Sequence, residues 1–269
     1  MATIVTREGK GAPLTHAELD ANFTNLNNAF TDDTRYSTAI LADKPMAYWR
    51  LNEAYSATSY VDSSGNGYNL TPVNSNFLPI AGQQPNPSSK GVFTPGGSGS
   101  SYATFPSALY SSWPSVQTYS IEASVFFSPQ AANSWHPVLI FAYGSGSNYG
   151  QLRLSMQTNA NWIPYFSVVN TSGSENALSM NRALPVGVWH HLVVTVSGSL
   201  LSFYVNGVLC ASMTQTVTTE SLSRAYGGIR HYQYPGDVPS SAAVSEVSLY
   251  NYTLTAAQVA AHYNMVRRA

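Results

Sequence analysis

Charge is the scarcest commodity in this sequence: Asp, Glu, Lys and Arg make up 9% of 269 residues, and the formal net charge is −1. Nucleic-acid binding without sequence preference needs many Lys and Arg to neutralise phosphates, so a nucleic-acid partner is excluded. The adjacent basic pair Arg267-Arg268 reads as a solvated tail. A single cysteine, Cys210, excludes an intrachain disulfide framework and leaves stability to the core. Cys210 follows Val208-Leu209 in an apolar run and is expected to be a small buried hydrophobe. No apolar run is long enough to span a bilayer, and the first residues lack the apolar stretch of a secretion signal. A soluble chain with no membrane insertion is expected.

Hydrophobic residues make up 44% of the chain, and Ser, Thr, Asn, Gly and Tyr supply much of the rest. The surface is therefore expected to be polar but almost uncharged. Residues 1–36 form the first expected unit. Thr15 and Glu18 match a capping box, with Leu14 and Leu19 placed as its hydrophobic staple. In the helix that follows, Leu19, Phe23, Leu26 and Phe30 recur at spacings of 4, 3 and 4 and share one stripe. A helix of about 16 residues is marginal alone in water, so the stripe needs a partner: the chain's own remainder, further copies, or a scaffold. The Gly9-Lys10-Gly11 lead-in and Pro13 predict extended chain before it.

Residues 37–269 read as one all-β unit of short strands separated by Gly, Pro, Ser and Asn clusters. Met46–Glu53 is an early strand. Thr118–Phe127 alternates, placing Tyr119, Ile121, Ala123 and Val125 on one face and Ser120, Glu122 and Ser124 on a polar one. Asn206-Gly207 predicts a type I′ hairpin between Leu201–Val205 and Val208–Cys210. It is preceded by Trp189–Val196, whose core face is Leu192, Val194 and Val196. A second capping box, Thr255 with Gln258, and a Leu254/Val259 staple start a short terminal helix.

Five stretches carry a family resemblance: Tyr48-Trp-Arg-Leu-Asn-Glu53; Asp62-Ser-Ser-Gly-Asn-Gly67; Tyr119-Ser-Ile-Glu-Ala123; Trp189-His-His-Leu-Val193 with Phe203-Tyr-Val-Asn-Gly207; and Glu246-Val-Ser-Leu-Tyr-Asn251 with Leu254-Thr. In this order they resemble the laminin G-like branch of the concanavalin A-type lectin/glucanase superfamily. The resemblance implies a jelly-roll β-sandwich, here with a short helix at each end. The segment from Thr6 to Asn27 is similar to one that opens phage tail-fibre and other virion appendage proteins, which implies attachment to a virion, tail or capsid, of a chain made in the host cytoplasm. The three-fold construction of such fibres, with the Leu19–Phe30 stripe, implies a homotrimer.

Glycosidases of that superfamily need two carboxylates flanking the scissile bond, and the Glu-x-Asp-x-x-Glu arrangement of the retaining glucanases does not occur here. No Gly-x-Ser-x-Gly turn supports Ser-His-Asp catalysis. His190 and His191 are neighbours on a strand and point to opposite faces, so they cannot converge on one ion. The chain is expected not to be an enzyme and to require no cofactor. The resemblance also allows a structural calcium held by Asp62, Asn66 and Glu246, against a bare tight turn. Sugar binding would use aromatic faces with polar neighbours. Arg230, Tyr232 and Tyr234 share one side of an extended segment, and Trp135 and Trp162 lie in aromatic loops. The expectation is a virion fibre or decoration module that adheres to host-surface or environmental glycans. The alternatives are a capsid-bound head fibre or cement protein contacting other virion proteins, and a polysaccharide depolymerase.

Overall fold

The computed structural model describes residues 4–31, 34–73, 78–83, 90–94, 102–113, 118–127, 135–145, 148–157, 163–170, 172, 174–180, 182–215, 226–229 and 242–266. Among these, α1 (Arg7–Lys10), α2 (His16–Thr31) and α3 (Thr34–Ala42) precede the strands. They are followed by β1 (Ala47–Trp49), β2 (Thr71–Val73), β3 (Leu78–Ala81), β4 (Lys90–Thr94), β5 (Tyr102–Thr104), α4 (Ser107–Ser112) and β6 (Thr118–Phe127). Then come β7 (Trp135–Ser145), β8 (Asn148–Gln157), β9 (Ile163–Val169), β10 (Glu175–Ser179), β11 (Trp189–Ser197), β12 (Leu200–Val205) and β13 (Val208–Thr214). β14 (Tyr226–Ile229), β15 (Ala242–Tyr250) and α5 (Ala256–Val266) complete the order.

The strands form two antiparallel sheets. One runs β13-β12-β11-β6-β15-β4-β3, with β1 also on β15, and the other runs β10-β9-β8-β7-β14-β5-β2. Between them lies the core, to which β6 gives Tyr119, Ile121, Ala123 and Val125, and β11 gives Leu192, Val194 and Val196. Both sets follow the alternation read from the sequence, since side chains of successive strand residues face opposite ways. Leu139, Leu154 and Phe166 close the core from the other sheet. The expected jelly-roll sandwich is the observed fold class. At Gly228 the paired strands β14 and β5 come so close that a Cβ would lie 1.8 Å from the Ala103 carbonyl oxygen, so only glycine fits.

The outer face of the first sheet is covered rather than bare. Helices α3 and α5 pack on it through Tyr36, Ile40 and Val266 against Tyr48. Hence Ser120, Glu122 and Ser124, expected on an ordinary polar face, are all fully buried. The sequence reading also began the β-rich unit at residue 37, whereas α3 runs through that point and buries both Tyr36 and Ile40. Two expectations need correction. The lead-in expected to be extended forms the helical turn α1, capped by Thr6 and closed by Gly11 at φ 71°. Cys210 is exposed. Pairing slips between Phe203 and Tyr204, which face Ala211 and Leu209, so Cys210 is the extra residue of a bulge on β13, the edge strand of its sheet.

The capping boxes formed as read. Thr15 N–H donates to Glu18 at 2.7 Å and Glu18 N–H to Thr15 Oγ1 at 3.2 Å. Thr255 and Gln258 repeat this at 2.9 and 3.2 Å. Leu254 and Val259 share a buried cluster with Tyr250, consistent with a staple. Lys10 pairs with Glu18 at 2.5 Å, and the carboxyl of Glu18 is lowered to about 2, first by that Lys10 hydrogen bond and then by Thr15. Asn22 exchanges hydrogen bonds with the Val5 backbone at 2.8 and 2.7 Å, folding the first residues back onto α2.

Candidate functional site

Arg230, Tyr232, Tyr234 and Trp162 lie outside the described residues, and Trp135 opens β7 with its side chain outside them. On α2, Leu19 is 39% and Phe23 70% exposed, so the sandwich does not cover the start of the stripe. Leu26 and Phe30 continue the same helix, their side chains outside the described set.

Asp62, Asn66 and Glu246 each have partners within the protein. Both Asp62 carboxylate oxygens are taken by backbone N–H groups: Tyr48 and Ser64 at 2.9 Å each, and Tyr68 at 3.0 Å. The Asn66 amide donates to the Met46 carbonyl at 3.0 Å. Glu246 instead accepts from the Tyr48 hydroxyl and faces Arg50 Nε at 3.7 Å. Its backbone stands at φ 52° in a bulge of β15, where Ser245 and Ser248 face Ser124 and Glu122. A calcium ion needs six to eight oxygens with free lone pairs. Here Asp62 accepts three backbone N–H groups, one of them from Tyr48, and so ties the loop to β1. No group of three or more His, Cys, Asp or Glu that could hold a metal occurs among the described residues.

Glu122, the centre of the buried polar face, accepts from His191 Nε2 at 2.6 Å, His262 Nδ1 at 3.1 Å, Tyr36 at 2.9 Å and Tyr250 at 3.0 Å. The other nitrogen of His262, Nε2, faces Asp43 Oδ2 at 3.0 Å. With a carboxylate oxygen at each ring nitrogen, His262 is placed to donate from both, an arrangement that favours the imidazolium. Burial pulls the His262 imidazolium down, but the charge and hydrogen bonds of Glu122 and Asp43 win and hold it above the ordinary histidine value. Burial likewise raises the Glu122 carboxyl, yet His262 and His191 together hold it well below the usual carboxylate range. This carboxylate has no access to a substrate, since it is wholly buried. It clasps α3 and α5 to the sheet.

One opening lies between residues 182–188 and the β12–β13 hairpin. It is a cleft of about 680 Å³. Asn206 at φ 51° and Gly207 at φ 77° make the expected hairpin turn, and Asn206 accepts the His191 N–H at 2.9 Å. The opposite wall is anchored by the Gly187 N–H on the Phe127 carbonyl at 2.7 Å. His190, on the face opposite to His191 as expected, bonds the Pro185 carbonyl through Nε2 at 2.8 Å. Burial lowers its pKa, outweighing the opposing hydrogen bond to the Pro185 carbonyl. Leu184, Val188, Val205 and Val208 supply apolar walls, Trp189 an aromatic one, and Arg182 a cation. No Asp or Glu lines the cleft among the described residues. Sequence reading found the hairpin but missed the cleft, because residues 182–188 have no periodicity and no motif.

The family model of the concanavalin A-like lectin/glucanases superfamily, in its laminin G type, matches residues 95–260. The chain belongs to this superfamily. No curated protein sequence matches it. Among solved structures, domain 4 of AbnA, a GH43 extracellular arabinanase from Geobacillus stearothermophilus in complex with arabinotriose, superposes with a TM-score of 0.60 at 19% identity, covering 82% of this chain and 98% of that one. The receptor-binding domain of botulinum neurotoxin type G gives 0.56 at 14%, covering 82% and 51%. A Trypanosoma rangeli sialidase gives 0.58 at 19%, covering 83% and 33%. The superfamily chain thus spans half the length of the neurotoxin domain and a third of the sialidase. At these identities the likeness is one of fold.

Proposed function

We propose that the chain is a non-enzymatic adhesion module of a phage virion, with a lectin-like sandwich that binds surface glycans and an N-terminal helical segment that mounts it on the particle. The observation that carries this reading is the cleft beside the β12–β13 hairpin: open, walled by apolar and aromatic side chains, and lined by no carboxylate among the described residues. Such a cleft can hold a sugar by its apolar faces and, among the described residues, brings no carboxylate pair to cleave it. The two buried glutamates, Glu122 and Glu246, are engaged by histidine, tyrosine and arginine partners and face no opening. For the mount, the support is the Thr6–Asn27 segment and the exposure of Leu19 and Phe23 on α2, which leaves an apolar stripe for other virion proteins or for two further copies of the chain.

The test is made on particles. Gold-labelled antibody against residues 37–269 should decorate virions in electron micrographs, and soluble full chain should compete with virions for host cells. Unlabelled particles would reject the virion role. Labelled particles whose adsorption the soluble chain leaves unchanged would favour the structural head-fibre or cement reading.

A further inference from the structure

The cleft has a chemical bias, and this inference rests on the adhesion reading above. Most of its polar groups already have partners inside the protein. His190 is bonded to the Pro185 carbonyl at 2.8 Å, Asn206 to the His191 N–H at 2.9 Å, and Trp189 Nε1 to the Ala81 carbonyl at 3.2 Å. The Asn206 amide nitrogen also lies 3.4 Å from His190 Nδ1. Arg182 differs: it is exposed on the cleft wall and forms no ion pair or hydrogen bond among the described residues. A guanidinium offers a planar fork of donors and no acceptor, the geometry that matches a carboxylate. A neutral sugar presents hydroxyls that need acceptors as well as donors, and the remaining wall of Leu184, Val188, Val205 and Val208 supplies neither. It suits methyl groups.

We infer that the cleft selects acidic, acylated sugars, with Arg182 clamping the sugar carboxylate and the valine and leucine wall receiving the acyl methyl group. Charge complementarity sets the orientation, because no carboxylate among the described lining residues competes for the guanidinium. The cleft volume, about 680 Å³, falls within the range of small-ligand sites.

The test uses the full chain, with calorimetric titration of three probes: N-acetylneuraminyl-lactose, its neutral parent lactose, and N,N′,N″-triacetylchitotriose, which is acetylated but uncharged. The acidic acetylated probe should bind most tightly, and Arg182→Met should weaken it about 10- to 100-fold, as loss of a charged hydrogen-bond pair does. Arg182→Lys should restore part of the loss, and because Arg182 is exposed, neither variant should move the melting temperature. Val188→Asp, on the exposed rim, should repel the same probe. Neutral probes binding as tightly as the acidic one, or acidic binding untouched by Arg182→Met, would overturn the inference while the glycan reading stands. No binding by these probes or by any member of a broad glycan array would overturn both.

Discussion

Replacing Glu122 by Gln keeps the shape of the side chain and removes the charge on which the α3–α5 clasp depends. Five donors converge on that carboxylate: one each from β11, α5 and α3, and two, Tyr250 and Ser248, from β15. A glutamine would accept at one atom only and would turn an N–H₂ group toward another donor. Removing one partner of a buried ion pair costs about 3–5 kcal/mol, because the other charge is left buried and uncompensated. For a domain of this size each kcal/mol moves the melting temperature by about 2–4 °C, so a fall of roughly 6–20 °C is expected by circular dichroism. The pH dependence gives a second readout. The His262 pKa is raised in the fold, so its contribution is fully present below the ordinary value of about 6.5 and is lost as pH rises through the raised one. Glu122 is depressed, so its contribution is present above the ordinary carboxylate range of about 4.3 and is lost as pH falls from there toward the folded value. The wild-type melting temperature should therefore decline on both sides of that window, and Glu122→Gln should flatten both limbs. A fall of under about 2 °C, or unchanged limbs in the variant, would refute the imidazolium clasp.

Gly228→Ala should give no soluble folded chain, because its Cβ would sit 1.8 Å from the Ala103 oxygen; recovery of a wild-type melting curve would contradict the packing described. Gly207→Ala should cost about 1 kcal/mol or more, since the position needs φ 77° and the new Cβ would press on Tyr263 at 3.0 Å. Chelation with EDTA should leave the melting temperature unchanged, because the Asp62 oxygens are filled by N–H donors; a drop that calcium reverses would show a metal at this loop. Phe23→Ser should leave the melting temperature of the sandwich unaltered, as Phe23 is 70% exposed, while lowering the mass measured by light scattering if α2 joins copies into a trimer.

The fold was legible where local patterns and burial coincide. Alternation in Thr118–Phe127 and Trp189–Val196 placed the core faces correctly, and both capping boxes marked true helix starts. What escaped depended on contacts distant in sequence. Nothing near Glu122 says that helices from both ends of the chain will cover it, since its partners His262 and Tyr36 lie 140 and 86 residues away. Helix α3 was missed because its Tyr36 and Ile40 are held by tertiary packing on α5, beyond what a nine-residue stretch specifies alone. Cys210 was misjudged because strict alternation fails at a bulge, and pairing register cannot be read from one strand. The cleft escaped for a related reason: Arg182 and Val208 meet only when the residues before β11 fold against the β12–β13 hairpin.

The central claim, that the sandwich binds glycans without cleaving them, is tested most directly by incubating the full chain with purified host-surface polysaccharide, measuring saturable binding and release of reducing ends together. The account predicts binding with no release above a chain-free control. Absence of binding, or steady release abolished by substituting a single carboxylate, would contradict it.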